Sequence, residues 1–389
     1  MKIRKPVLAL LICIISISLI LLMNHFLDFH ITGHFEGIYL LRDNGSNKLF
    51  VTDHLFVGHE KKIVFARDLN NSYFDLPKKL FQNQVNPKAH LHVVWNSWDG
   101  SGYVSNYFSD GTGLVTYLGR YLDDDKEVHG LFVGGGLPEI VENSFNYNMN
   151  NSGMTYYVNK KWYHIWCSVN EGIGSPKSEK SLTPSKWEFI GSGIESSSSD
   201  NVVLSSSHKA VIDDIPVRID RRMHFTAGEP YFTLEIKITN IGERNLLYDY
   251  LYGDEPWVGY YGTSLGDVGW VKDRIVNYEE MIDVSRYSFI GMADIGNRVI
   301  GEKTVYTNLA NFLEWFGPEK PKDAYFTNNL DHLPAAGTKV PLDSNERFVG
   351  LHWERLLAPK ESATIMLAIG MAKCNQKSGL PEKPETSWK

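Results

Sequence analysis

Cysteine is scarce in this chain: among 389 residues there are three, and Cys13 lies inside an apolar N-terminal run. Cys167 and Cys374 are too few for a disulfide framework, so the core has to hold the fold. The sequence leaves open whether those two pair. Basic runs are missing beyond the first residues, and the formal net charge is −7. Both observations speak against a nucleic-acid partner. Gly134-Gly135-Gly136 lacks the lysine and hydroxyl residue of a phosphate loop. Asp123-Asp124-Asp125 and Asp213-Asp214 lack the spacing of a calcium loop. His90 and His92 share a strand face with no third metal ligand set by spacing. No metal and no cofactor are therefore expected. Helical periodicity is rare as well, confined to Leu76–Val85 and Val305–Phe316, with Pro318 ending the second.

One long hydrophobic run is present. Lys2, Arg4 and Lys5 precede the uncharged stretch Pro6 to Met23, which is long enough to cross a hydrocarbon core of about 30 Å. It exits into Asn24-His25-Phe26-Leu27-Asp28 with no small-residue cleavage site, so the run reads as an uncleaved signal anchor. Residues 1–5 are then cytoplasmic, 6–23 span the membrane and the bulk of the chain is extracytoplasmic, in the periplasm or on the cell surface.

Ten Trp, 20 Tyr and 33 Gly favour strands and tight turns over helices. The clearest element is a hairpin. Val217, Ile219, Met223 and Phe225 alternate with polar residues, Thr226 to Pro230 turn the chain, and Phe232, Leu234, Ile236 and Ile238 return. Arg221 interrupts the apolar parity, and burying it would require a partner. Further strands are expected over His90–Trp95, Gly102–Phe108, Leu114–Tyr117, Met154–Val158, Lys161–Val169, Trp187–Ile190, Asn201–Ser205, Lys209–Asp213, Phe348–Trp353 and Ala363–Met371, and earlier over Gly37–Leu41, Lys48–Thr52 and Lys62–Phe65. So many short strands predict an all-β protein, a large antiparallel β-sandwich over residues 30–374 after one N-terminal transmembrane helix. Ser175–Ser185 and Ser196–Ser199 read as loops, with a subdivision near 175–186, and the polar tail 375–389 reads as disordered.

The stretch Leu247 to Trp270, LYDYLYGDEPWVGYYGTSLGDVGW, carries the functional signal. Flat aromatic rings cover the apolar faces of sugars, carboxylates accept hydrogen bonds from hydroxyls, and glycines let the backbone approach. Asp254, Glu255 and Asp267 are the candidate acid/base groups, beside Asp249, because glycoside chemistry requires two carboxylates about 5–10 Å apart. Trp257, Tyr260, Tyr261 and Trp270 are the candidate stacking platform. A second cluster, His90 to Gly113, offers His92 as proton carrier, with Trp95 and Trp98 as a second wall. Arg222 is a candidate partner for an acidic sugar.

The hairpin Val217–Thr239, the aromatic segment after it, and the turn Leu356-Leu357-Ala358-Pro359-Lys360-Glu361-Ser362 before the last strand together resemble the galactose mutarotase-like supersandwich group. The likeness covers roughly Trp187 to Met371. It implies a supersandwich fold and a carbohydrate ligand. The group's catalytic histidine, which follows the hairpin, has no counterpart, since Thr239-Asn240 leads into Ile241-Gly242 and Tyr248–Tyr252 contains no histidine. Residues and resemblance together predict a membrane-anchored carbohydrate-active protein acting on an envelope or exported glycan by hydrolysis, elimination or epimerisation. The alternative is a non-catalytic glycan-binding or envelope-assembly factor.

Overall fold

The computed structural model describes residues 33–43, 46–57, 63–66, 88–96, 101–118, 139–141, 144–146, 153–159, 161–166, 170–177, 187–254, 256, 258–259, 267–294, 307–328, 333–334, 337, 339–342, 347–375 and 377–387. The anchor at 6–23 and the expected helix Leu76–Val85 lie outside these residues, as do Cys167, Trp98, Glu255, Trp257, Tyr260 and Tyr261. Among the described residues every regular element is a strand and every strand pairing is antiparallel, and no helix is long and apolar enough to cross a membrane.

Three sheets carry the core. A ten-stranded sheet runs in the spatial order Trp187–Ser197, Asn201–Ile212, Ile215–Thr226, Tyr231–Asn240, Ser362–Cys374, Leu309–Phe316, Phe289–Asp294, Asp267–Val271, Arg274–Val276, with the short Pro381–Glu382 beside Ser362–Cys374. A five-stranded sheet is ordered Asn170–Gly174, Leu246–Asp254, Phe348–Leu357, Asp323–Thr327, Glu280–Ile282. A second five-stranded sheet is ordered Lys161–Trp166, Gly153–Val158, Gly113–Leu118, Ser101–Tyr107, His90–Asn96. Apolar side chains from all three meet in one buried cluster that includes Leu114, Trp166, Ile219, Leu234, Tyr250, Trp353 and Leu367.

The hairpin shows why the sequence folds this way. Over Ile215–Thr226 inward residues alternate with exposed ones, as a period-two pattern demands when one face meets the core. Its turn passes through Gly228 at φ +83°, a backbone region that favours glycine. Asn106 from the second five-stranded sheet grips this turn, its amide donating to Thr226 O and Glu229 O at 2.9 and 2.8 Å and its carbonyl accepting from Gly228 N at 2.8 Å.

Three expectations change. The segment Val305–Phe316, read as a helix, is a strand from Leu309 to Phe316, central in its sheet between two paired strands and buried on both faces. Short apolar runs buried on both faces do not reveal their period, which is why helix and strand were confusable. The serine-rich piece Asn201–Asp213 is one strand, Asn201–Ile212, and Ser196 and Ser197 end the strand before it. The tail, expected to be disordered, folds back: Lys383 Nζ reaches Glu314 Oε2 at 2.7 Å and lies over the Phe312 ring at 5.2 Å, and Ser387 N donates to Tyr231 Oη at 3.2 Å.

Candidate functional site

The aromatic segment divides into a buried and an open half within a single strand. Along Leu246–Asp254, Leu246, Tyr248, Tyr250 and Tyr252 point into the core and are at most 1% exposed. Leu247 and Asp249 point the other way, toward the outer face of the five-stranded sheet. Asp249 is registered opposite Glu354, and Leu251 opposite His352. On the neighbouring strand Asp323 is registered opposite His352.

The alternation of three strands therefore brings Asp249, His352, Asp323 and Glu354 together on one sheet face. His352 Nε2 lies 3.0 Å from Asp249 Oδ1, and Nδ1 lies 2.9 Å from Asp323 Oδ2. Side-chain exposures of 14%, 14% and 17% make this a half-sheltered cluster that solvent still reaches. Burial alone would lower the imidazole pKa, but the two aspartates outweigh it and hold the pKa above the ordinary value. Lys322 Nζ pairs with Glu354 Oε2 at 2.8 Å along one flank. Glycines allow close packing on the other side. Gly172 and Gly253 border Leu251 and Tyr252, and Tyr325 lies over Gly350, where a Cβ would meet its ring at 2.4 Å.

The other expected site residues are distributed differently. His92, Asp254 and Asp267 stand on three different sheets. His92 is half-buried, its ring 6.4 Å from that of Tyr103. Asp254 ends its strand opposite Val349. Asp267 is fully buried in the ten-stranded sheet, with Asp294 opposite. Trp270, expected to stack on a ligand, is 1% exposed, and its Nε1 donates to Asn311 O at 2.9 Å. Its strand turns it to the face opposite Asp267, where it packs against Phe289 with ring centroids 4.9 Å apart. Trp95 is likewise 4% exposed and part of the core. Neither ring presents a face to a ligand. Arg222 is exposed and paired with Glu195 at 2.7 Å.

His352 was not among the candidates read from the sequence, although it lies in the expected strand Phe348–Trp353. A lone histidine in an alternating strand gives no signal until its neighbours in space are known. No metal-ligating group of three or more His, Cys, Asp or Glu occurs among the described residues.

The fold of the described residues is antiparallel and all-β. No protein-family model and no curated protein matches the sequence. A solved galactose mutarotase-like protein of Clostridium acetobutylicum is 8% identical at a TM-score of 0.33, over 74% of this chain and 100% of that one. A protein assigned as an aldose 1-epimerase of Escherichia coli is 11% identical at a TM-score of 0.28, over 67% of this chain and 96% of that one. A 4-alpha-glucanotransferase of Thermococcus litoralis is 9% identical at a TM-score of 0.33, over 76% of this chain and 42% of that one. The group that the sequence resembles is thus represented among similar structures. At these scores the likeness carries no argument about activity.

Proposed function

We propose that the protein is a membrane-anchored, extracytoplasmic carbohydrate-active protein with a supersandwich-like fold, acting on an envelope or exported glycan through the cluster Asp249–His352–Asp323. The observation that carries this reading is one imidazole held between two carboxylates on a half-sheltered sheet face. Hydrolysis, elimination and epimerisation of a sugar all move a proton from one oxygen or carbon and deliver it to another. An imidazolium flanked by two aspartates supplies a proton reservoir and two bases within one hydrogen-bonded unit. The carboxylates also suit sugar hydroxyls, which donate to them. Asp254, Glu255, Trp257, Tyr260 and Tyr261 stay in the reading as residues of the segment that continues from this strand. Asp267 and His92 remain acid and proton-carrier candidates on the neighbouring sheets.

A non-catalytic glycan-binding factor is the second reading, and one observation favours it: both ring nitrogens of His352 already face an aspartate, so the ring itself holds no idle proton acceptor. Titrating full-length protein with a panel of glycans while assaying turnover separates the two. If the cluster is catalytic, His352→Gln lowers turnover by about 10²-fold or more and binding by much less. Binding without turnover, lost in Asp249→Asn, supports the second reading. Neither binding nor turnover on a broad panel removes both. The pH profile has a definite sign. His352 has a raised folded pKa, so the folding stability it contributes is complete below about 6.5 and disappears as pH climbs through that raised value, which pH-dependent denaturation checks.

A further inference from the structure

Asp267 and Asp294 are directly opposed across an antiparallel pair at the inner face of the ten-stranded sheet. They are 0% and 3% exposed. Opposed residues of such a pair stand on the same face with Cβ atoms about 4.5–5.5 Å apart.

Asp267 bonds to one crossing segment and Asp294 packs against it. Val258 N donates to Asp267 Oδ2 at 2.9 Å. Gly259, at φ +99°, backs onto Asp294, where a Cβ would lie 2.5 Å from Oδ2. Only glycine suits both the dihedral and the space. That same Oδ2 accepts from Thr307 N and Oγ1 at 2.8 and 2.6 Å. Gly259 also exchanges two backbone hydrogen bonds with His164, each 2.8 Å, which join the segment to the second five-stranded sheet. Oδ1 of Asp267 is buried with no hydrogen-bond partner among the described residues.

Among the described residues the charges facing the pair do not balance two carboxylates. Arg347, which is 6% exposed, attracts both acids. His164 is fully buried, and burial lowers its pKa to about 4, so it brings no charge near neutrality. Cys374 lies close enough to feel Asp294, and burial pushes its thiol up to about 12. A single cation can neutralise one carboxylate, and a second buried charge would stay uncompensated.

We propose that Asp267 and Asp294 form a proton-controlled latch: with a proton on Asp267 the pair holds Val258–Gly259 against the inner sheet face, and loss of that proton loosens the segment. Burial raises Asp267 far above the ordinary carboxylate value, and the charge on Asp294 adds to this. Asp294 is also raised by burial, but Thr307 offsets part of the shift. A raised folded pKa means that opening releases a proton. The latch is tightest below the ordinary value of 3.8 and weakens as pH rises through the folded value of Asp267. This device does not depend on the reading of the His352 cluster.

Amide hydrogen exchange of full-length protein, followed over the peptide containing Val258 and Gly259 and corrected for intrinsic chemistry, tests it. Between about pH 5 and about pH 9 the wild type is expected to lose protection about tenfold or more. Asp267→Asn, which keeps an acceptor for Val258 N and has no proton to lose, is expected to give a flat profile. Asp294→Asn, which removes the repelling charge, is expected to make the wild-type slope shallower. A flat wild-type profile, or an Asp267→Asn profile that tracks the wild type, overturns the latch. Should Asp267→Asn fail to fold, an Asp294→Asn slope identical to wild type overturns it equally.

Discussion

Arg221 occupies a position where its strand's alternation points inward, and it is 2% exposed. Its Nε lies 2.7 Å from Glu171 Oε2 and its Nη2 2.5 Å from Glu171 Oε1. Tyr250 Oη donates to Glu171 Oε1 at 2.8 Å, and His208 Nδ1 lies 3.0 Å from Arg221 Nη1. The partner that the sequence demanded for a buried guanidinium is thus supplied by the edge strand Asn170–Gly174 of the other sheet. The bridge joins the two sheets, and Tyr250, next to Asp249 in the chain, hydrogen-bonds to it. Arg221→Ala leaves Glu171 buried without its cation, and urea denaturation should register a loss of about 3–5 kcal/mol. The double replacement Arg221→Met with Glu171→Leu should recover most of that loss, because no charge then remains buried. Arg221 was legible as an anomaly from its parity alone. Glu171, 50 positions earlier in the chain and without a pattern of its own, was not.

At the scale of elements, LLYDYLYGD has a plain period of two, yet its tyrosines resembled a ligand surface because aromatic and acidic residues alternate there. Burial decided between the two roles: the tyrosines fill the core and the acid faces outward. The strand approaches Phe348–Leu357 closely at Gly253, where a Cβ would meet Val349 O at 2.1 Å. That oxygen belongs to backbone and cannot swing aside. Gly253→Ala should therefore cost about 1–3 kcal/mol in chemical denaturation by forcing the strands apart, and should also weaken any ligand response that depends on Asp249 and His352. A loss below about 0.5 kcal/mol would show that the strands yield without strain.

The tail affects the whole molecule. Pro381–Glu382 adds to the edge of Ser362–Cys374, and Lys383 sits above Phe289 and Phe312 with its ammonium paired to the 10% exposed Glu314. Removing residues 381–389 uncovers those rings and leaves Glu314 without that lysine. Thermal unfolding of the truncated chain should show a loss of about 1–3 kcal/mol, of which Lys383→Ala alone accounts for a large part. The sequence suggested disorder because a short, polar, proline-containing tail has no periodicity. Its order comes from surface supplied by strands far away in the chain.

The sequence by itself determined the all-β character, the hairpin Ile215–Thr226 with Tyr231–Asn240, the inward parity of Arg221 and the candidacy of Asp249 and Asp267, because period-two patterning and turn chemistry are local properties. Tertiary structure alone decided which acids meet. Register of the His352 strand against strands whose acids lie 103 and 29 residues earlier in the chain sets Asp249 and Asp323 on either side of His352. The same alternation turns Trp270 away from Asp267, whose partner Asp294 lies 27 residues on. Strand pairing is long-range, and one residue of slip would reverse every face.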